Sequence, residues 1–276
     1  MKDAVTRTAV VILNRNLPEP TDALAERFLR LDGDAAEVFV VEAGSDPARL
    51  SRHCTWHVNT PEAVEKGLRI CRGFNHGLAR LHEAGRFPEF DHFFLVTNDS
   101  VFDPVPVVRD LAAEMEKHPR LGILSPCSRT WGEYRLLARQ PTRYFWHVHN
   151  TAYFLRREFV ESIMNPGDDM GFLYDGGNFR GYLAEIELIA KGYANDWATA
   201  ITRLVTVEEN ESYLKEHSAD IRTESFEENL RLYVEEGRAW MRRKYGFTSR
   251  WQMQMYVRLW YDKFFDFHPE YAQYRI

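Results

Sequence analysis

Three short apolar runs constrain this chain most: residues 8–13 (TAVVIL), 37–41 (EVFVV) and 93–96 (FFLV), each ending abruptly in polar residues. Continuous rather than alternating apolar runs mark strands buried on both faces, as in parallel sheets covered by helices. Between the first two, Leu24, Phe28 and Leu31 fall at helical spacing behind Thr21 or Asp22 as a start signal. Strand, helix and strand in so short a span is a βαβ unit with parallel strands. Residues 61–84 read as a helix with Leu68, Cys71, Phe74 (or Asn75), Leu78 and Leu81 along one face, residues 106–116 as another, and 122–124 as a short strand. The expected class is therefore α/β, a mostly parallel sheet flanked by helices. Ligands of such sheets bind beyond the carboxyl ends of the strands. The clusters Asn14-Arg15, Glu42-Ala43-Gly44-Ser45 and Asn98-Asp99-Ser100 should thus converge on one crevice, with Asp99 as its carboxylate. The competing reading of residues 98–100 is a helix cap or turn.

After residue 125 the alternation stops. Residues 125–143 show no period and are expected to be loops, 146–155 (WHVHNTAYFL) a strand, 156–164 a helix, and 165–181 a long, Gly- and Asp-rich loop. A helix over 182–191 should stop at Gly192, and 198–207 should be a strand. Two amphipathic helices, 224–245 and 249–265, complete the chain. The expected division is a sheet domain over 1–218 and a C-terminal helical extension over 219–276, packed through Trp251, Met255, Leu259 and Phe264. The tail's mixture of arginine and aromatic residues also suits contact with an anionic membrane or a homodimer through these helices.

Hydrophobic residues make up 45% of the 276, enough for a sizeable core, and the net charge of −6 argues against nucleic acid as partner. Cys54, Cys71 and Cys127 have no metal-ligand spacing and read as reduced thiols. With no signal-like N-terminus and no window of transmembrane length, the expected location is the cytoplasm, or the inner face of a membrane. Neither G-x-G-x-x-G after the first strand nor a P-loop is present, so a diphosphate here would be met by arginines or a metal ion.

Five segments in order resemble glycosyltransferases of the GT-A fold, family 2 type: VVILNR (10–15), VFVVEAGSD (38–46), RGFNHGL (72–78), LVTND (95–99) and YLAEIELIAKGY (182–193). The resemblance implies an inverting enzyme that moves a sugar from a nucleotide-diphosphate donor to a glycan, lipid-linked or other hydroxyl acceptor. It implies that Asn14, Glu42, Asn75, Asn98 and Arg69 or Arg72 bind the donor, with Glu42 reading the base. Asp99 matches the last aspartate of the metal-binding D-x-D element, which implies Mg2+ or Mn2+; His217 stands where some relatives carry a late histidine ligand. Glu185 matches the catalytic base and Glu187 the second acid of that helix. His147, His149, Asn150 and Asp175 would lie at the acceptor. His147 and His149 would share one face of a strand, but without a third ligand nearby in sequence a zinc site is the weaker reading. The D-x-D element is reduced here to Thr97-Asn98-Asp99, and the acid pair to Glu42-Ala43. A non-catalytic glycan- or nucleotide-binding relative and a sugar nucleotidyltransferase are the alternatives; the latter lacks its glycine-rich loop here.

Overall fold

The computed structural model describes residues 6–221 and 224–276. The expected βαβ unit is β1 (Thr8–Asn14), α1 (Pro18–Leu31) and β2 (Ala36–Ala43), with β1 and β2 parallel. A third parallel strand, β3 (Cys54–Val58), follows β2; its sequence carries no apolar run because it is edge-placed and only half-buried. The helix expected over 61–84 is two, α2 (Pro61–Lys66) and α3 (Arg69–Glu83). Gly67 breaks it at φ +71, where a Cβ would also collide with the Arg15 guanidinium. Then come β4 (His92–Thr97), β5 (Ser100–Phe102), α4 (Val108–Glu116) and β6 (Leu121–Cys127).

The second half departs further. Residues 146–155 are not one strand: β7 (Thr142–Tyr144) and β8 (Ala152–Arg156) are separated by a loop that carries His147, His149 and Asn150. The helix α5 (Arg157–Ile163) leads into the long loop, then α6 (Ala184–Ala194) and β9 (Ala198–Glu209). Gly192 does not stop α6; it lies against Phe159 and the Trp197 carbonyl, where a side chain would crowd. Two short helices, α7 (Glu211–Glu216) and α8 (Ser218–Ile221), precede α9 (Phe226–Tyr245) and α10 (Arg250–Phe267).

The strands form one sheet in the order β3-β2-β1-β4-β8-β6-β9-β5, with β7 also on β9. Pairing is parallel through β3, β2, β1 and β4, while β8 runs antiparallel between β4 and β6. The long β9 lies parallel to β6, and its C-terminal end, residues 207–209, pairs antiparallel with β5. The core is aromatic at its centre: Phe28, Phe94, Phe102 and Phe154 meet edge to face, the geometry that ring quadrupoles favour.

Helix α10 packs against α6 and β7, and of the stripe expected to face inward only Phe264 does so. Trp251, Met255 and Leu259 are 61%, 67% and 56% exposed, whereas Met253, Val257, Tyr261, Phe264 and Phe265 are buried. The aromatic side wins because Tyr261 packs edge-on to Tyr193 of α6 and donates to the Tyr144 carbonyl. Helix α9 is pinned by polar contacts: Trp240 Nε1 and Lys244 Nζ both reach Asp175, and Lys244 and Tyr245 reach Glu187. No helix among the described residues is long and apolar enough to cross a membrane.

Candidate functional site

The three strand ends meet through direct hydrogen bonds. Asn98 Nδ2 donates to Asn14 Oδ1 at 2.8 Å, and Asn14 Nδ2 donates to both Glu42 oxygens at 3.1 and 2.9 Å. Glu42 also accepts from Ser45 Oγ and the Ser51 amide, at 2.5 and 2.8 Å. With 0% exposure and all its lone pairs engaged, Glu42 ties the loops together and has no oxygen left for a nucleotide base. Asn75 is likewise a clamp. Its amide and carbonyl bond Met170, Leu173 and Tyr174 of the long loop, fixing it on α3.

Beyond this knot lies a cavity of about 290 Å³, lined by Asn14, Arg15, Arg69, Asn98, Asp99 and Arg180 among others. Its position is the one open α/β sheets use for ligands, outside the carboxyl ends of β1 and β4. Arg69 enters from the start of α3, at φ +57, and pairs with Glu224 at 2.9 Å. Arg180, from the loop before α6, also contacts Glu224 and reaches Glu236 at 3.1 Å. Arg15 is held against the carbonyls of Ala63 and Val64 at 3.2 and 3.0 Å. Burial lowers the Arg15 pKa, and the nearby Arg69 charge lowers it further. Arg72 points elsewhere, to the Gly176 carbonyl and Glu62, so Arg69 is the arginine of the pair that faces the cavity. Neither Arg15 nor Arg180 carries a role that the sequence motifs assign. Arg180 sits in a loop without a period, and only its fold-back onto Phe179 and Glu224 brings it here.

Asp99 lines this cavity on one side, with its carboxyl pKa raised by burial and, to a smaller degree, by the Glu209 charge. Among the described residues no group of three potential metal ligands includes Asp99. A magnesium- or manganese-type ion commonly takes one or two carboxylates and completes its shell with substrate phosphates and water, and Asp99 fits that shared mode. His217 is not brought to Asp99. It lines the adjoining cleft, beside the Tyr213 ring and with Nδ1 toward Asp220 at 3.3 Å.

Glu185 stands in the first turn of α6, only 6% exposed, and is not among the residues that line the Asp99 cavity. Burial pushes its carboxyl up from 4.5 to about 7. Among the described residues its side-chain donor is Asn150 Nδ2 at 3.2 Å, and Tyr153 Oη donates to Asn150 Oδ1 in turn. Asn150 precedes Thr151, whose carbonyl accepts from the Thr97 amide at 3.1 Å and from Ser100 Oγ at 3.2 Å. Residues 150–151 thus connect Glu185 on α6 to Thr97 and Ser100, the residues that flank Asn98 and Asp99. Glu187, two residues on, turns away to Lys244 and Tyr245. Asp175 is held at a carboxyl pKa of about 2, against a burial effect that raises it, by Lys244, Trp240 and the Gly177 amide. It anchors α9 rather than presenting itself to an acceptor. His147 and His149 lie in the loop before β8, with their rings 5.2 Å apart and Glu133 alongside.

No protein-family model and no curated protein sequence matches the chain. Solved structures do. GalNAc-T7 with UDP, GalNAc and Mn2+ superposes with a TM-score of 0.52 at 11% identity, over 89% of this chain and 57% of that one. Glucosyl-3-phosphoglycerate synthase from Mycobacterium tuberculosis, in complex with Mn2+, UDP and phosphoglyceric acid, gives 0.50 at 16% identity, over 89% and 80%. S. aureus TarS gives 0.50 at 11% identity, over 73% of this chain and 36% of its own. The fold is of the GT-A type. This chain spans little more than a third of TarS and just over half of GalNAc-T7, and identities this low speak for architecture alone.

Proposed function

We propose that this GT-A-type chain transfers a sugar from a nucleoside-diphosphate donor to a hydroxyl acceptor with inversion at the anomeric carbon. The observation that carries the reading is the cavity lined by Arg15, Arg69, Arg180 and Asp99; Glu185, its carboxyl raised to about 7, is joined to the β4 end through Asn150 and Thr151. Three guanidiniums suit a diphosphate, since each charge-assisted hydrogen bond contributes roughly 1.5–3 kcal/mol.

In this reading Glu185 takes the proton of the acceptor hydroxyl as its oxygen attacks the anomeric carbon. The bond from that carbon to the diphosphate oxygen breaks, and the leaving diphosphate keeps the electron pair. Its growing charge meets Arg15, Arg69 and Arg180, whose positions are fixed beforehand by Glu224, Glu236 and the 63–64 carbonyls, so little reorganisation is needed. A Mg2+ or Mn2+ ion, held by Asp99 and the diphosphate oxygens, would add Lewis-acid stabilisation of the leaving group. A base works best with its pKa near the working pH, and burial among Tyr153, Tyr174 and Cys71 brings Glu185 there.

The test is thermal stabilisation by UDP, GDP and dTDP with and without Mn2+, followed by transfer assays with the sugar nucleotides of whichever base binds. The reading expects a metal-enhanced shift with at least one diphosphate. A shift with nucleoside triphosphates alone would point to nucleotidyl transfer instead. No shift with any nucleotide would overturn it.

A further inference from the structure

We propose that Glu133, His147 and His149 form a binding site for a zinc-class transition-metal dication, separate from the Asp99 cavity. Glu133 lies in the 3-10 turn Gly132–Leu137, and the two histidines in the loop between β7 and β8. One potential ligand atom from each falls within 4.8 Å of the other two, and no other group of three does so among the described residues. His147 Nδ1 and His149 Nε2 are buried and make no hydrogen bond among the described residues, although the Glu133 carboxylate lies within ion-pair reach of the latter. A buried polar atom left so keeps its desolvation cost uncompensated, which a metal bond would relieve.

The surroundings pre-orient the set. The Trp131 ring stacks on His149 with centroids 3.5 Å apart, and the two imidazoles meet at 73°. Glu133 Oε2 stands 3.5 Å from His149 Nε2. A tetrahedral zinc ion with nitrogen and oxygen ligands at about 2.0–2.2 Å holds them roughly 3.4 Å apart, so starting from separations within 4.8 Å a closure of at most about 1.4 Å suffices. Two imidazoles and one carboxylate select a borderline metal over Mg2+ and leave a coordination position open for water or a ligand. The site's place gives it consequence: His149 is followed directly by Asn150, whose amide donates to Glu185. Metal binding would hold the loop that positions this glutamate.

The experiment is calorimetric titration of the chelator-treated full chain with Zn2+ alone, without nucleotide, so it stands or falls independently of the proposed sugar transfer. One Zn2+ is expected per chain, with affinity reduced about 100-fold or more in Glu133→Gln and His149→Ala and unchanged in Asp99→Asn. Replacement by Co2+ should give the strong visible absorption of a low-coordinate site. If His149→Ala fails to fold, the isosteric Glu133→Gln decides between the outcomes. Zinc binding as tight in Glu133→Gln as in the wild type, or binding lost in Asp99→Asn, would overturn the assignment.

Discussion

Asp99 and Glu185 are both carboxylates raised by burial, yet their neighbourhoods are opposite. Asp99 opens on a cavity that holds three guanidiniums, whereas Glu185 is enclosed by Tyr153, Tyr174, Tyr233 and Cys71 with one amide donor. A group facing mobile charge suits a partner that arrives and leaves with its own charge. A group sealed among neutral phenols suits one that must gain and lose a proton. The same physics, desolvation, serves two uses because the next shell differs.

The largest effect should come from Glu185→Gln. Loss of the base is expected to lower transfer by at least about 100-fold, read as initial rates with saturating donor. The same substitution bears on stability with a defined sign. Below pH 4.5 the carboxyl is protonated folded and unfolded. Between pH 4.5 and about 7 the unfolded chain releases the proton while the fold retains it, so stability falls with rising pH. The loss amounts to about 3 kcal/mol above pH 7. Thermal melts should therefore show Glu185→Gln more stable than wild type at pH 8, and equal to it near pH 4. The rate of the wild type should rise with unit slope below pH 7 and level off above it.

On the cationic side, Arg69→Ala and Arg180→Ala should each weaken nucleoside-diphosphate binding by about 10- to 100-fold, measured by calorimetry. Lys244→Ala should leave that affinity alone but lower the melting temperature, because buried Glu187 and half-buried Asp175 lose a shared cation. The smallest binding effect belongs to Arg72→Ala and Asn75→Ala, within about twofold of wild type. Asn75→Ala should nonetheless reduce stability by roughly 1–3 kcal/mol as loop groups lose their partners.

The sheet was readable because its strands are continuous apolar runs whose burial follows from local composition: 8–13, 37–41 and 93–96 all lie in β1, β2 and β4. The convergence of Asn14, Glu42 and Asn98 followed from parallel topology alone. Their roles did not, since only the network shows Glu42 saturated and Asn75 bound to the long loop. Arg180 and Glu133 were invisible for another reason. Each comes from aperiodic chain and meets its partners over long sequence separations, which no local pattern encodes. The α10 stripe failed on a helical phase: Trp251, Met255 and Leu259 are spaced as well as Met253, Val257 and Tyr261, and tertiary aromatic contacts chose between them.

The central claim is that the two carboxylates serve opposite sides of one transfer. It is tested most directly by measuring donor affinity and turnover together in Asp99→Asn and Glu185→Gln. The account predicts a crossed result: Asp99→Asn loses metal-dependent donor affinity, while Glu185→Gln binds donor within about twofold of wild type and does not turn over. Normal turnover in Glu185→Gln, or unaltered metal-dependent donor binding in Asp99→Asn, would contradict it.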